Sequence, residues 1–242
     1  MKNEREMDKM KKRTKILIIV GVIVLIMIAG ILYLVALDEK QNELLTEELA
    51  KIDSYAQSGD SNNEELQAIL NRTVTTGDYA KIEKACKQYL TDILDKQEKI
   101  KQILEDEKLT KILSVENYQV DGPEFVSTKE YITTTRTNLN QYTEELTQLI
   151  SEEKILSYAE NQGMDSTDIE IYRQELTDQI NEEELKNELD GSIGEITKIL
   201  DTAEKIIDFL MQNKSHWTVE GENIIFENQQ LSDQYNTLIA EL

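Results

Sequence analysis

The chain has little of the punctuation that makes irregular structure: one proline, Pro123, and nine glycines in 242 residues. Because these two residue types supply most turns and breaks, their scarcity predicts long helices joined by short connections. Cysteine is nearly absent as well. The lone Cys86 excludes an internal disulfide framework, so apolar burial must hold the fold together. A single histidine, His216, leaves little room for triad chemistry, and neither a G-x-S-x-G elbow nor an H-E-x-x-H pair accompanies it. Positive charge is the minority, with 26 Lys and Arg against 48 Asp and Glu and a formal net charge of −22. That sign argues against nucleic acid as a partner. It also argues against direct contact with anionic polymers or lipid headgroups unless divalent cations bridge them.

What is present begins with one uninterrupted apolar run. Residues Ile16 to Leu37, ILIIVGVIVLIMIAGILYLVAL, carry no charge, Asn, Gln or Pro. As helix, this run reaches about 33 Å, enough to cross a hydrocarbon core of about 30 Å. The preceding tail, residues 1–15, has seven cations against three acids, a net of +4. Lys11, Lys12, Arg13 and Lys15 lie beside the run and act as topology determinants, whereas the far flank reads Asp38-Glu39-Lys40. The positive-inside rule then predicts a single-pass protein with a cytoplasmic N-terminus and residues 38–242 outside, carrying −26. A cleaved signal peptide is the competing reading. The run is too long for one, and Leu34-Val35-Ala36 is a poor cleavage site, so an uncleaved signal-anchor is expected. No cysteine follows to accept a lipid. Gly21 and Gly30 stand nine apart, which is not the small-residue spacing of a helix-dimer motif. Lys outnumbers Arg, and with no disulfides outside the membrane this usage fits a bacterial cell envelope.

Beyond the run, helical periodicity dominates. Leu45, Leu49, Ile52 and Ala56 extend the anchor outward over residues 38–63, ending in a turn-rich stretch around residues 58–63. Leu66, Ile69 and Leu70 mark a short helix over Glu64 to Thr73. A long helix is predicted from Asp78 to about Leu113, with Cys86, Leu90, Ile93, Gln97, Ile100 and Leu104 in a narrow coiled-coil-like seam. Ser114 to Gln119 reads as a capped turn. Ser127 and Glu130 match a capping box, opening a helix to about Asn161 with Ile132, Thr135, Leu139, Tyr142, Leu146 and Leu149 on its seam. A second box, Thr167 with Glu170, opens a helix to about Asp190, where Gly191 and Gly194 are expected to bend or end it. Ile196, Leu200, Ala203, Ile207 and Leu210 carry a further helix to Gln212. The period then changes to a β-hairpin over residues 217–226 with a Gly turn. A last helix presents Leu231, Tyr235, Leu238 and Ile239.

The expected fold is therefore all-α: a transmembrane helix, then an elongated antiparallel helical bundle over residues 64–242 with one small hairpin. No residues are assigned to catalysis, to a cofactor or to a metal. Glu182-Glu183-Glu184 and Glu105-Asp106-Glu107 read as solvated helix faces. Asp60 to Glu64 lacks the central glycine of a calcium loop. A surface this acidic can still bind divalent cations weakly without a defined site. His216 reads as a capping or packing residue and Cys86 as a buried seam residue. Trp217, Phe226 and Tyr235 are the candidate interaction surface, although a hairpin lid would bury the same side chains. Tyr131, Thr133, Thr134, Thr135 and Arg136 form a second patch of low helix propensity, suited to packing or contact.

Three functions are weighed on this basis. The first is a non-catalytic interaction or scaffold protein anchored in the envelope, with a protein partner. The second is an outer domain that captures a cation or cationic peptide and signals through a membrane partner. An envelope hydrolase comes last, for want of catalytic residues and a cleft.

Overall fold

A computed structural model describes residues 39–58, 63–170, 173 and 182–242. The tail of residues 1–15, the apolar run of residues 16–37, most of the turn before Asn63 and much of the helix expected up to Asp190 lie outside them. Among the described residues no helix is long and apolar enough to cross a membrane.

The described chain is mostly helical, with one two-stranded antiparallel hairpin near its C-terminus. Its helices are α1 (Glu39–Ser58), α2 (Glu64–Asn71), α3 (Asp78–Glu105), α4 (Glu107–Lys111), α5 (Val115–Asp121), α6 (Val126–Leu149), α7 (Glu152–Asn161) and α8 (Glu182–Gln212). Strands β1 (Trp217–Glu220) and β2 (Asn223–Phe226) follow, then α9 (Gln229–Ala240). Residues 166–170 are also helical.

The seams are the buried faces. Leu45, Leu49 and Ile52 on α1 are fully buried, as are Leu66 on α2 and Ile93 and Ile100 on α3. Ile132, Leu139 and Leu146 on α6 and Leu200, Ile207 and Leu210 on α8 are buried in the same way. The spacings are three, four or seven residues, so a single stripe of each helix leaves water.

The breaks fall where side chains satisfy orphan amides. The helix expected to reach Leu113 stops at Glu105, because the Asp106 carboxylate accepts from the Lys108 amide at 2.9 Å and starts α4. The one expected to reach Asn161 stops at Leu149, where the Ser151 hydroxyl accepts from the Lys154 amide and starts α7. Neither expected capping box forms as read. Asp121 caps α6 instead, accepting from the Ser127 and Thr128 amides at 3.2 and 2.7 Å. Asp165 does the same for the next helical stretch, accepting from Thr167 and Asp168 at 2.8 and 3.0 Å. A carboxylate outcompetes a neutral hydroxyl for amide donors. Gly191 and Gly194 do not interrupt α8, which runs through both.

The chain divides into two compact units. The first holds the described residues of 39–101 and 142–192. The second is Gln102–Gln141 with Ile193–Leu242.

Candidate functional site

In the first unit the polar centre is a buried charge network that the sequence did not disclose. Glu83 and Lys87 sit one turn apart on α3, and Glu48 comes from α1; all three are buried, at 0%, 2% and 1% exposure. The Lys87 ammonium donates to Glu83 at 2.7 Å, to Glu48 at 2.9 Å and to the Arg72 carbonyl at 3.0 Å. Its three protons are therefore all used. Glu83 also accepts from the Thr75 hydroxyl at 2.6 Å and from the Val74 and Thr75 amides. The Arg72 guanidinium closes the network with a two-pronged pair to Glu48, both bonds at 2.7 Å. Burial disfavours the Glu48 carboxylate, but the bonds from Arg72 and Lys87 outweigh it and bring its pKa down to about 2. Glu83 is lowered likewise: burial opposes, and Lys87, Thr75 and the backbone amides prevail.

Beside this network opens a polar cleft of about 510 Å³. Asn71, Arg72, Thr73, Lys84 and Lys87 line one part of it, and Gln88, Thr91, Asp92 and Tyr158 line the rest. The Tyr158 hydroxyl donates to Asp92, and burial followed by that bond raises the phenol's pKa. Lys84 is exposed and has no carboxylate partner among the described residues. Cys86 is 3% exposed, and burial pushes its thiol pKa well up, away from reactivity.

In the second unit all three phenylalanines and the only tryptophan gather in and around the hairpin. Trp217 is buried, stacks on Phe125 at 6.0 Å between centroids and donates from Nε1 to the Leu210 carbonyl at 2.8 Å. Tyr118 packs edge-on against both rings. Phe226 and Tyr235 are half-buried against each other, 5.2 Å apart, and Phe226 also meets Phe209 at 6.1 Å. The Tyr235 and Tyr118 hydroxyls share a hydrogen bond of 3.1 Å. Trp217, Phe226 and Tyr235 are thus brought to one place, where the hairpin covers a ring cluster. Phe125 holds this cluster with a φ of 47°, a left-handed conformation rare for a bulky residue. His216 stands beside it, exposed, with Nδ1 2.7 Å from the Glu227 carboxylate.

The threonine-rich patch faces inward in part. Thr135 is buried, Arg136 bridges Asp201 and Glu204 on α8 at 2.9 and 2.7 Å, and Tyr131 donates to Asp106 at 2.8 Å. Burial and then that bond push the Tyr131 phenol up to about 12.

Next to Tyr131 lies a groove of about 420 Å³ between α4, α5 and the start of α6, whose wall is mostly carbon and includes Ile112, Val120 and Tyr131 together with Lys108, Lys111 and Glu116. Val120 is 82% exposed, and Val126, beside the lining Ser127, is 69% exposed. The Lys108 ammonium lies over the Tyr131 ring at 5.9 Å. No sequence period singles out Val120 and Val126, since apolar residues at helical spacing elsewhere, such as Ile132 and Leu139, are buried. Among the described residues, no group of three or more His, Cys, Asp or Glu is placed to hold a metal ion.

A family model described as CcmD family protein matches residues 1–44. The matched segment contains the basic tail, the whole apolar run and the first residues of α1, and the likeness points to a membrane-associated protein. No curated protein and no solved structure matches the chain.

Proposed function

We propose that the chain is a single-pass, non-catalytic interaction protein of the bacterial envelope, anchored by Ile16 to Leu37 with residues 38–242 outside the cytoplasm. The charge asymmetry across the apolar run supports the orientation, and the likeness over residues 1–44 supports the membrane. The seams support helices packed antiparallel as a bundle. The observation that carries the interaction role is the groove of the second unit, where Val120 and Val126 offer apolar carbon to solvent beside an apolar trough. Val120 and Val126 are the exposed large hydrophobic side chains of the described helices, and their place beside one groove supports a contact there. Photocrosslinkers placed at Val120 and at Val126 in intact cells should give one shared adduct of defined mass, absent from the exposed Asn140 of the same unit. Adducts equal at all three positions, or none, would remove the groove from the proposal.

A second reading, capture of a ligand by the outer domain, rests on the cleft of the first unit. Of the cations in its lining, Arg72 and Lys87 are already engaged with Glu48 and Glu83, which leaves Lys84 as the group that would favour an anion over the cation or cationic peptide that the net charge suggests. Calorimetry of the full chain with calcium and with a polycationic peptide distinguishes these, since saturable heat with either would favour the cationic ligand.

A further inference from the structure

The first unit is tied to the end of the apolar run by a short, countable path. Only Asp38 lies between Leu37 and the first residue of α1, and the Gln41 side chain accepts from the Thr76 amide at 2.8 Å. The step from Leu37 to Glu39 covers at most about 7 Å even fully extended, and Glu39 to Gln41 adds about 3 Å of helix. Headgroups occupy roughly 5–7 Å beyond each edge of the hydrocarbon. With the run spanning the membrane, the connector between α2 and α3 is therefore held at or just above the headgroup layer.

Arg72, Thr73, Thr76 and Gly77 are exposed along the connector. Arg72 and Thr73 share the cleft with Lys84. Of the carboxylates around them, Glu48 and Glu83 are buried in the charge network with Arg72 and Lys87, and Asp78 is paired with Lys81 at 2.9 Å. Glu65, whose charge also acts on Arg72, accepts from the Tyr55 hydroxyl, and Asp92 in the cleft wall accepts from Tyr158; both donors are neutral and add no positive charge. What the segment offers a phosphate is the exposed Lys84 ammonium, which has no carboxylate partner among the described residues, beside the exposed Thr73 and Thr76, since Arg72 is already paired with Glu48.

We propose that residues 72–77, together with Lys84 at the mouth of the cleft, rest on the phospholipid headgroups of the leaflet in which the chain is anchored, with a lipid phosphate entering the cleft. Local placement overrides the repulsion suggested by net charge, because a contact within a few ångströms outweighs distant charges screened beyond about a Debye length of 8–10 Å. The inference rests on the membrane-spanning reading and deepens it.

The test uses the full chain reconstituted in vesicles of phosphatidylcholine and phosphatidylglycerol, with Cys86→Ala as background. An environment-sensitive dye is attached at Thr76→Cys or at Ser54→Cys, an exposed position about 20 Å beyond Gln41 along α1. A nitroxide on the lipid headgroup should quench the dye at position 76 several-fold more than the dye at position 54. Adding Lys84→Glu should reduce that quenching without changing helical content. Equal quenching at both positions, or no response to Lys84→Glu, overturns the proposal. An alkaline wash of the same vesicles separates the two ideas. A chain released by the wash refutes the spanning reading, whereas a retained chain without differential quenching refutes only the headgroup contact.

Discussion

Lys87 is the residue on which the first unit depends most. It neutralises two buried carboxylates that have no access to water, and removing one member of such a group leaves uncompensated charge behind. Lys87→Met should cost about 3–5 kcal/mol in chemical unfolding of the full chain in detergent, far more than the loss of an exposed pair. The same network fixes a pH response. Glu48 ionises at about 2 in the folded chain against an ordinary 4.5, and Glu83 is shifted in the same direction. Both carboxylates are lowered by folding, so their stabilisation is complete above 4.5 and is lost as pH falls below it, for Glu48 down to about 2. For Glu48 the loss should be on the order of 3 kcal/mol, read as a falling unfolding midpoint across that window; a flat profile would contradict the network. Gln97 is the opposite case. It is 3% exposed in the α3 seam, and neither amide atom has a hydrogen-bond partner among the described residues. An unsatisfied buried polar group costs about 1–3 kcal/mol, so Gln97→Leu should raise stability by about 1–2 kcal/mol. The seam position of Gln97 is readable from its spacing. The Glu48–Lys87 contact is not, since 39 positions separate the partners.

At the scale of elements, the apolar period located nearly every helix, whereas the ends were set by competition among polar side chains. Ser127 and Ser151 illustrate the difference. Ser127 has the glutamate three positions on that a capping box needs and Ser151 does not, yet Ser127 lies inside α6 because Asp121 reaches its first amides, while Ser151 caps α7. The hairpin was fully legible, with Trp217 opposite Phe226 and Glu220 opposite Asn223. Its two-residue turn needs a positive φ at the first position, and Gly221 supplies 61°. Gly191 and Gly194 show where a breaker fails to break. Hydrophobic partners on either side hold α8 through them, and a methyl group at either would meet nothing within 4 Å. Gly191→Ala and Gly194→Ala should each stabilise the chain by about 0.5–1 kcal/mol in thermal or urea unfolding.

At the scale of the whole molecule, orientation is carried by a few cations. Replacing Lys11, Lys12, Arg13 and Lys15 by Gln leaves the tail with no net charge. Intact cells should then show a mixed or inverted population, measured as loss of external protease access to residues beyond 38. Unchanged orientation would mean that something other than the tail sets it. This level depends on composition and charge, so it requires no packing.

The sequence by itself determined the apolar run, the helical class, the seams and the hairpin, because each is written in a local period or a charge imbalance between neighbours. Tertiary structure decided which polar residues are buried, which side chain caps each helix, and where cations and apolar carbon reach the surface. Those outcomes depend on groups brought together across tens of residues. Glu48 meets Lys87, Gln41 meets Thr76, and Val120 is left facing water, only once the helices have packed.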